Sequence, residues 1–100
     1  MAAEEIIFHD EAAAEYDAAF DWYLARSREA AFRFDTEVNH ALQQIVENPR
    51  RWAVGASGTR RHLVRKFPFL LIYREMPQNR IQFVAVAHTS RKPGFWKQRI

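Results

Sequence analysis

Phe69-Leu70-Leu71-Ile72-Tyr73-Arg74-Glu75-Met76-Pro77-Gln78-Asn79-Arg80-Ile81-Gln82-Phe83-Val84-Ala85-Val86-Ala87-His88 decides the fold. Phe69 to Glu75 and Arg80 to His88 are rich in apolar and β-branched residues, so each reads as a strand. Met76-Pro77-Gln78-Asn79 between them is a turn. A regular hairpin closed by that turn sets Phe69 opposite Val86, Leu71 opposite Val84 and His88 opposite Phe67. Thr59 to Lys66 is a further β-rich run, separated by Phe67-Pro68, where proline cannot donate a ladder hydrogen bond. Upstream of it, Arg50 to Gly58 carries Gly55 and Gly58 among small residues with no period, which predicts a loop.

The first half of the chain has a different periodicity. Glu5-Ile6-Ile7-Phe8 is a short apolar run ending at His9-Asp10, and predicts a brief first strand. Asp10 is placed to cap a helix in which Ala12, Tyr16, Ala19, Phe20 and Tyr23 recur at helical spacing up to about Arg26. Ser27 is a second N-cap, for a helix with the stripe Ala31, Phe34, Val38, Leu42 and Ile45, and Asn48-Pro49 stops it. Two helices joined so closely form an antiparallel hairpin. Strand, helix, helix and three strands make an α+β plan: one curved antiparallel sheet backed by the helical hairpin, with a functional site expected on the free face. At 100 residues the chain is a single domain, 1–100.

Charge is sorted by half. Met1 to Pro49 holds eleven acids against three arginines, a balance of −8, and Arg50 to Ile100 holds twelve lysines and arginines against Glu75 alone, a balance of +11. Gathering cations on one side creates a positive potential that attracts nucleic acid, a nucleoprotein or an acidic protein segment. With no cysteine there is no disulfide framework and no thiol nucleophile, which suits a reducing cytoplasm. No apolar run approaches the ~18 residues of a membrane span, and Glu4 and Glu5 stand where a signal peptide needs cations. The expectation is a cytoplasmic protein with no membrane contact.

The basic run Arg60-Arg61-His62-Leu63-Val64-Arg65-Lys66 has two readings: a charged edge strand protected from aggregation, or a surface for phosphate or acidic peptide. In the tail, Arg91, Lys92, Lys97 and Arg99 interleave with Phe95 and Trp96, a pattern that can stack bases or simply pin the C-terminus to the core. Arg60, Arg61, Lys66, Lys92, Trp96, Lys97 and Arg99 are therefore candidates for target or partner binding. His88, at a strand end near Arg65 and Arg91, is the one histidine placed for acid–base work. His9, His40 and His62 have no metal-ligand spacing, so neither metal nor cofactor is expected. Gly55-Ala56-Ser57-Gly58 lacks the Gly-Lys-Ser/Thr ending of a phosphate loop, and the carboxylates lie on solvated helix faces rather than as a hydrolytic pair.

Taken in order, Phe8-His9-Asp10-Glu11-Ala12, Trp22-Tyr23, Ile45 to Pro49, Arg65-Lys66-Phe67-Pro68-Phe69 with Ile72-Tyr73, Ala85-Val86-Ala87-His88-Thr89-Ser90-Arg91 and Pro93-Gly94-Phe95-Trp96 resemble the RelE/ParE superfamily of type II toxins, also called plasmid-stabilisation proteins. The resemblance spans about Phe8 to Arg99. It implies a growth-inhibiting toxin, neutralised by a cognate antitoxin in a hetero-oligomer. Members that cut messenger RNA on the ribosome usually carry an arginine three residues before the central-strand tyrosine, whereas Leu70 precedes Tyr73 by that interval here. In an endoribonuclease of this kind Arg65 and Arg91 would supply replacement cations, His88 the general acid or base, and Tyr73 a positioning role. Members resembling ParE bind DNA gyrase and need no bond-making residue. The absence of arginine at Leu70 favours the ParE-like reading over ribosome-dependent cleavage, with a non-toxic partner-binding protein as a third reading.

Overall fold

β1 spans Glu5–Phe8, α1 Asp10–Leu24, α2 Arg28–Glu47, β2 Thr59–Leu63, β3 Phe69–Met76 and β4 Arg80–His88, with single 3₁₀ turns at Ala56–Gly58 and Lys97–Arg99. This is a computed structural model, and it describes residues 2–100. Both helices start on side-chain caps. His9, rather than Asp10, caps α1 by accepting the Glu11 N–H at Nδ1 (3.1 Å), so Asp10 is displaced into the first turn, where its charge complements the helix dipole. Ser27 caps α2 through the Ala30 N–H (3.1 Å), and Asn48 ends it.

The stripes of the two helices meet the sheet as their spacing requires. Ala12, Ala31, Phe34 and Ile45 are fully buried, Val38 and Ala41 nearly so, while Tyr16, Phe20, Tyr23 and Leu42 pack around them half-buried. Phe34 is the centre, with the rings of Tyr23, Phe67 and Phe69 all about 5.2–5.3 Å from its own. Enclosing one such side chain contributes about 2–3 kcal/mol.

The sheet order is β1-β4-β3-β2. β2, β3 and β4 form an antiparallel meander, but β1 lies parallel to β4, pairing Glu5 with Arg80 through Phe8 with Phe83. The sheet is therefore mixed. The chain leaves β1 into the helices and returns at the far edge, so the three-stranded meander brings β4 back beside β1 in the same direction.

The hairpin register also differs from a regular one. Met76 pairs with Arg80, leaving Pro77-Gln78-Asn79 as a three-residue loop with Gln78 and Asn79 at positive φ (66° and 56°). A bulge between Ile72 and Tyr73 then passes over Val84, so Phe69 pairs with His88 and Leu71 with Val86. A loop one residue shorter than the expected turn and one bulge residue account for the two-residue displacement along β4.

On the face away from the helices, Ile72, Val84, Ala85 and Ala87 form a second apolar layer with Leu70, closed by Trp96 and Phe95. Gly94, at φ 79°, makes the turn that folds the tail back; a Cβ there would lie 2.9 Å from the Lys97 side chain.

Candidate functional site: a cationic groove on the free face of the sheet

Alternation along the strands separates the candidate residues before any distance is considered. Leu70 and Ile72 face away from the helices, and Arg61, paired with Ile72, stands beside them. Phe69, Leu71 and Tyr73 face the helices, and so does His88, paired with Phe69. Leu70, Ile72 and Ala87 floor a groove of about 570 Å³, walled on one side by the Trp52–Ala56 loop and on the other by the tail at Lys92–Lys97. Arg61, Lys92 and Lys97 are exposed on it.

Several candidates are committed to the fold instead. Tyr73 is fully buried, and its hydroxyl donates to the Pro49 carbonyl (2.7 Å); burial pushes its pKa up to about 12. It cannot reach a ligand in the groove. Trp96 is 7% exposed and closes the outer apolar layer.

Arg99 makes two hydrogen bonds to the Glu15 carboxylate (2.8 and 2.9 Å), pairs with Glu11 (3.1 Å) and donates to the Val84 carbonyl (3.0 Å). Glu15, foremost, holds it charged even more firmly than usual. Its guanidinium is thus committed to the Glu11 and Glu15 carboxylates and the Val84 carbonyl. Arg60 donates to the Trp52 carbonyl and to Glu75 (3.3 Å), which fastens the loop wall to β2.

The remaining candidates are accessible but dispersed. His88 is exposed at the groove rim; its Nδ1 accepts from the Ser90 N–H (3.0 Å) and meets the Ser90 hydroxyl at 2.7 Å, while its ring stands edge-on to Phe69. Arg65 and Lys66 are exposed in the turn after β2, Lys66 at φ 70°. Arg91 stacks on Phe95 (3.8 Å to the ring centre) and lies 3.9 Å from Glu15. Among the described residues no cluster of His, Cys, Asp or Glu could hold a metal, and no helix is long and apolar enough to cross a membrane.

Two contributors carry no local signal in the chain. Glu15 belongs to an acidic helix face, yet its carboxylate crosses to β4 and accepts the Val86 N–H (3.0 Å). Trp52 lies in an aperiodic loop, yet its ring packs 4.2 Å from that of His62 and fixes the loop beside β2. Burial, then Arg51 and His40, lower the His62 pKa. Neither contact is local in sequence, so no spacing rule reveals it.

A family model for the "ParE toxin of type II toxin-antitoxin system, parDE" matches residues 6–93. Nine chains of solved structures match. One, from the "Chromosomal ParDE TA system from P. aeruginosa", superposes with a TM-score of 0.71 at 19% identity, covering 84% of this chain and 94% of its own, a likeness of fold. No curated protein matches the sequence.

Proposed function

The chain belongs to the ParE toxin family of type II toxin–antitoxin systems, and on that premise we propose a cytoplasmic growth inhibitor that binds DNA gyrase and is silenced by a cognate antitoxin. Choice of target rests on one observation, the floor of the groove. Where phosphate chemistry needs a cation and a proton-transferring pair, the floor presents Leu70, Ile72 and Ala87. His88 sits on the helix-facing side of its strand, with Nδ1 engaged by Ser90, and the Tyr73 hydroxyl is engaged by Pro49. Stabilising a pentavalent phosphate requires donors aimed at one point, and these side chains diverge.

An apolar floor with cationic rims suits a protein segment carrying apolar anchors and carboxylates. Arg61, Lys92 and Lys97 are the proposed docking cations, with Lys66 on the adjoining turn. An acidic antitoxin segment that orders on binding would cover this groove, and charge would speed its approach while the apolar floor prolongs the complex.

The test compares two purified reactions. Gyrase supercoiling with this chain should be inhibited and yield broken DNA, while translating ribosomes should show no new messenger ends. His88→Ala should leave the gyrase effect largely intact. Messenger cleavage by the wild type, reduced about a hundred-fold or more by His88→Ala, would replace this reading with the ribonuclease one. Inactivity in both reactions, with tight antitoxin binding, would leave the partner-binding reading.

A further inference from the structure

Among the described residues, the second half of β4 has no strand neighbour on its outer side. β1 pairs only with Arg80–Phe83, so Val84–His88 run on beside α1 without a strand partner on that edge. The phase of the hairpin fixes which groups point there. The Thr89 N–H donates to the Pro68 carbonyl (2.9 Å), and in an antiparallel ladder bonded and non-bonded pairs alternate. Bonded pairs therefore continue at Leu70–Ala87 and Ile72–Ala85, and Val86 and His88 turn their N–H and C=O groups outward.

Two of those four groups are occupied. Glu15 takes the Val86 N–H, and the Arg91 N–H takes the His88 carbonyl (2.9 Å). The Val86 carbonyl and the His88 N–H have no partner among the described residues. Both residues line a second groove of about 470 Å³, whose other walls include Ala18, Ala19, Trp22 and Phe69.

This groove is distinct in chemistry from the cationic one. Ala18 and Ala19 leave room that larger residues would fill. Trp22 is 53% exposed, and the Arg26 guanidinium stiffens it, stacked 3.7 Å from the ring and donating to the Trp22 carbonyl (2.9 Å). An exposed, stiffened tryptophan beside arginine is the composition of a protein-binding hot spot. At the rim stand His88 and Arg91, the latter with half its side chain exposed. Glu15 is already matched by Arg99 and Arg91, so it does not repel a carboxylate arriving there.

We propose that this groove is a docking slot for a short extended peptide segment, added parallel to β4 in line with β1. It would set one bulky aliphatic side chain between Ala18 and Trp22 and a carboxylate beside Arg91 and His88. The backbone argues for a strand. One residue of a parallel strand gives its N–H to one carbonyl and its C=O to the N–H two residues further along, which is the pair that Val86 and His88 leave open. A helix would bring backbone groups already bonded to one another. The slot is separate from the cationic groove and does not depend on the choice of toxin target.

The test titrates ¹⁵N-labelled full-length chain with synthetic acidic hexapeptides that carry a central leucine or isoleucine. Binding should move the His88 amide and Trp22 indole resonances. Ala18 is exposed, so Ala18→Trp should fill the slot and weaken binding at least ten-fold at unchanged melting temperature. N-methylating the central peptide residue should weaken binding similarly, and that arm needs no change in the protein. Shifts confined to Arg61–Leu63 and Lys92, full affinity of the N-methylated peptide, or no binding at millimolar concentration would each overturn the proposal.

Discussion

Arg99 and Lys92 look alike in the sequence, two cations of one basic tail, and the structure gives them opposite work. Lys92 is exposed at the groove, whereas the Arg99 side chain is 10% exposed and joined to Glu15, itself 16% exposed. Hydrogen bonds to charged groups are worth about 1.5–3 kcal/mol, and removing one partner strands the other. Arg99→Ser should therefore destabilise by about 2–3 kcal/mol, lowering the melting temperature by roughly 10 °C or more in a domain of this size. Lys92→Ser should remain within about 0.5 kcal/mol of the wild type. Equal melting of the two variants would refute the structural role of Arg99. Tyr73 yields a pH prediction. Its folded pKa, about 12, lies above the ordinary 10.0, so its contribution is complete below pH 10 and is lost as pH rises toward 12. Tyr73→Phe should flatten part of that alkaline decline and cost about 1 kcal/mol at neutral pH, because the Pro49 carbonyl loses its donor. Urea melts of both proteins across pH 8–12 would show it; parallel alkaline limbs would contradict it.

Elements were far more legible than their pairing. Helical period, the Ser27 cap and the Asn48-Pro49 stop are local signals, and α2 follows them closely. The free outer face was also readable, since Leu70 and Ile72 alternate with Leu71 and Tyr73. The hairpin register was not, because a positive-φ three-residue loop and a bulge at Val84 depend on how the whole strand twists against its neighbour. That displacement carries His88 from Phe67 to the pairing position of Phe69, and a two-residue step keeps the acid–base candidate on the helix-facing side, opposite to the face where Arg61 stands. The loop wall is held by a ring contact across elements, and this too can be tested by pH. His62 has a lowered pKa in the folded state, while the unfolded chain takes up its proton near the ordinary 6.5. Stability contributed by neutral His62 is thus complete above 6.5 and declines as pH falls toward the lowered value. His62→Gln should reduce the slope of stability against pH in that window, read from urea midpoints at pH 7 and pH 5. An unchanged slope would mean that protonation of His62 is not what weakens the fold in that window.

At the scale of the molecule, the division of charge seen in the sequence is only partly a division of surface. Arg99 crosses to Glu11 and Glu15, and the lone acid of the basic half, Glu75, is clasped by Arg50 and Arg60. Among the cations that line the groove, setting aside Arg60 and Arg91, which lie beside Glu75 and Glu15, leaves Arg61, Lys92 and Lys97 around an apolar floor, with Arg65 and Lys66 exposed in the turn after β2. Exposed charges of this kind act on encounter more than on residence, since their field reaches about 8–10 Å at ordinary salt and weakens as salt rises. A triple variant, Arg61→Glu with Lys92→Glu and Lys97→Glu, should therefore associate with an acidic antitoxin at least ten-fold more slowly at low salt and lose most of its salt dependence. Its dissociation rate should change less, because the floor of Leu70, Ile72 and Ala87 is intact. Stopped-flow association at two salt concentrations separates the effects, and a melting curve establishes that the variant is folded. Reversing Arg60 instead should disturb the loop that it fastens and lower the melting temperature. An association rate that the triple variant leaves untouched at low salt would move the antitoxin off this groove, and the free edge of β4 would be the next surface to examine.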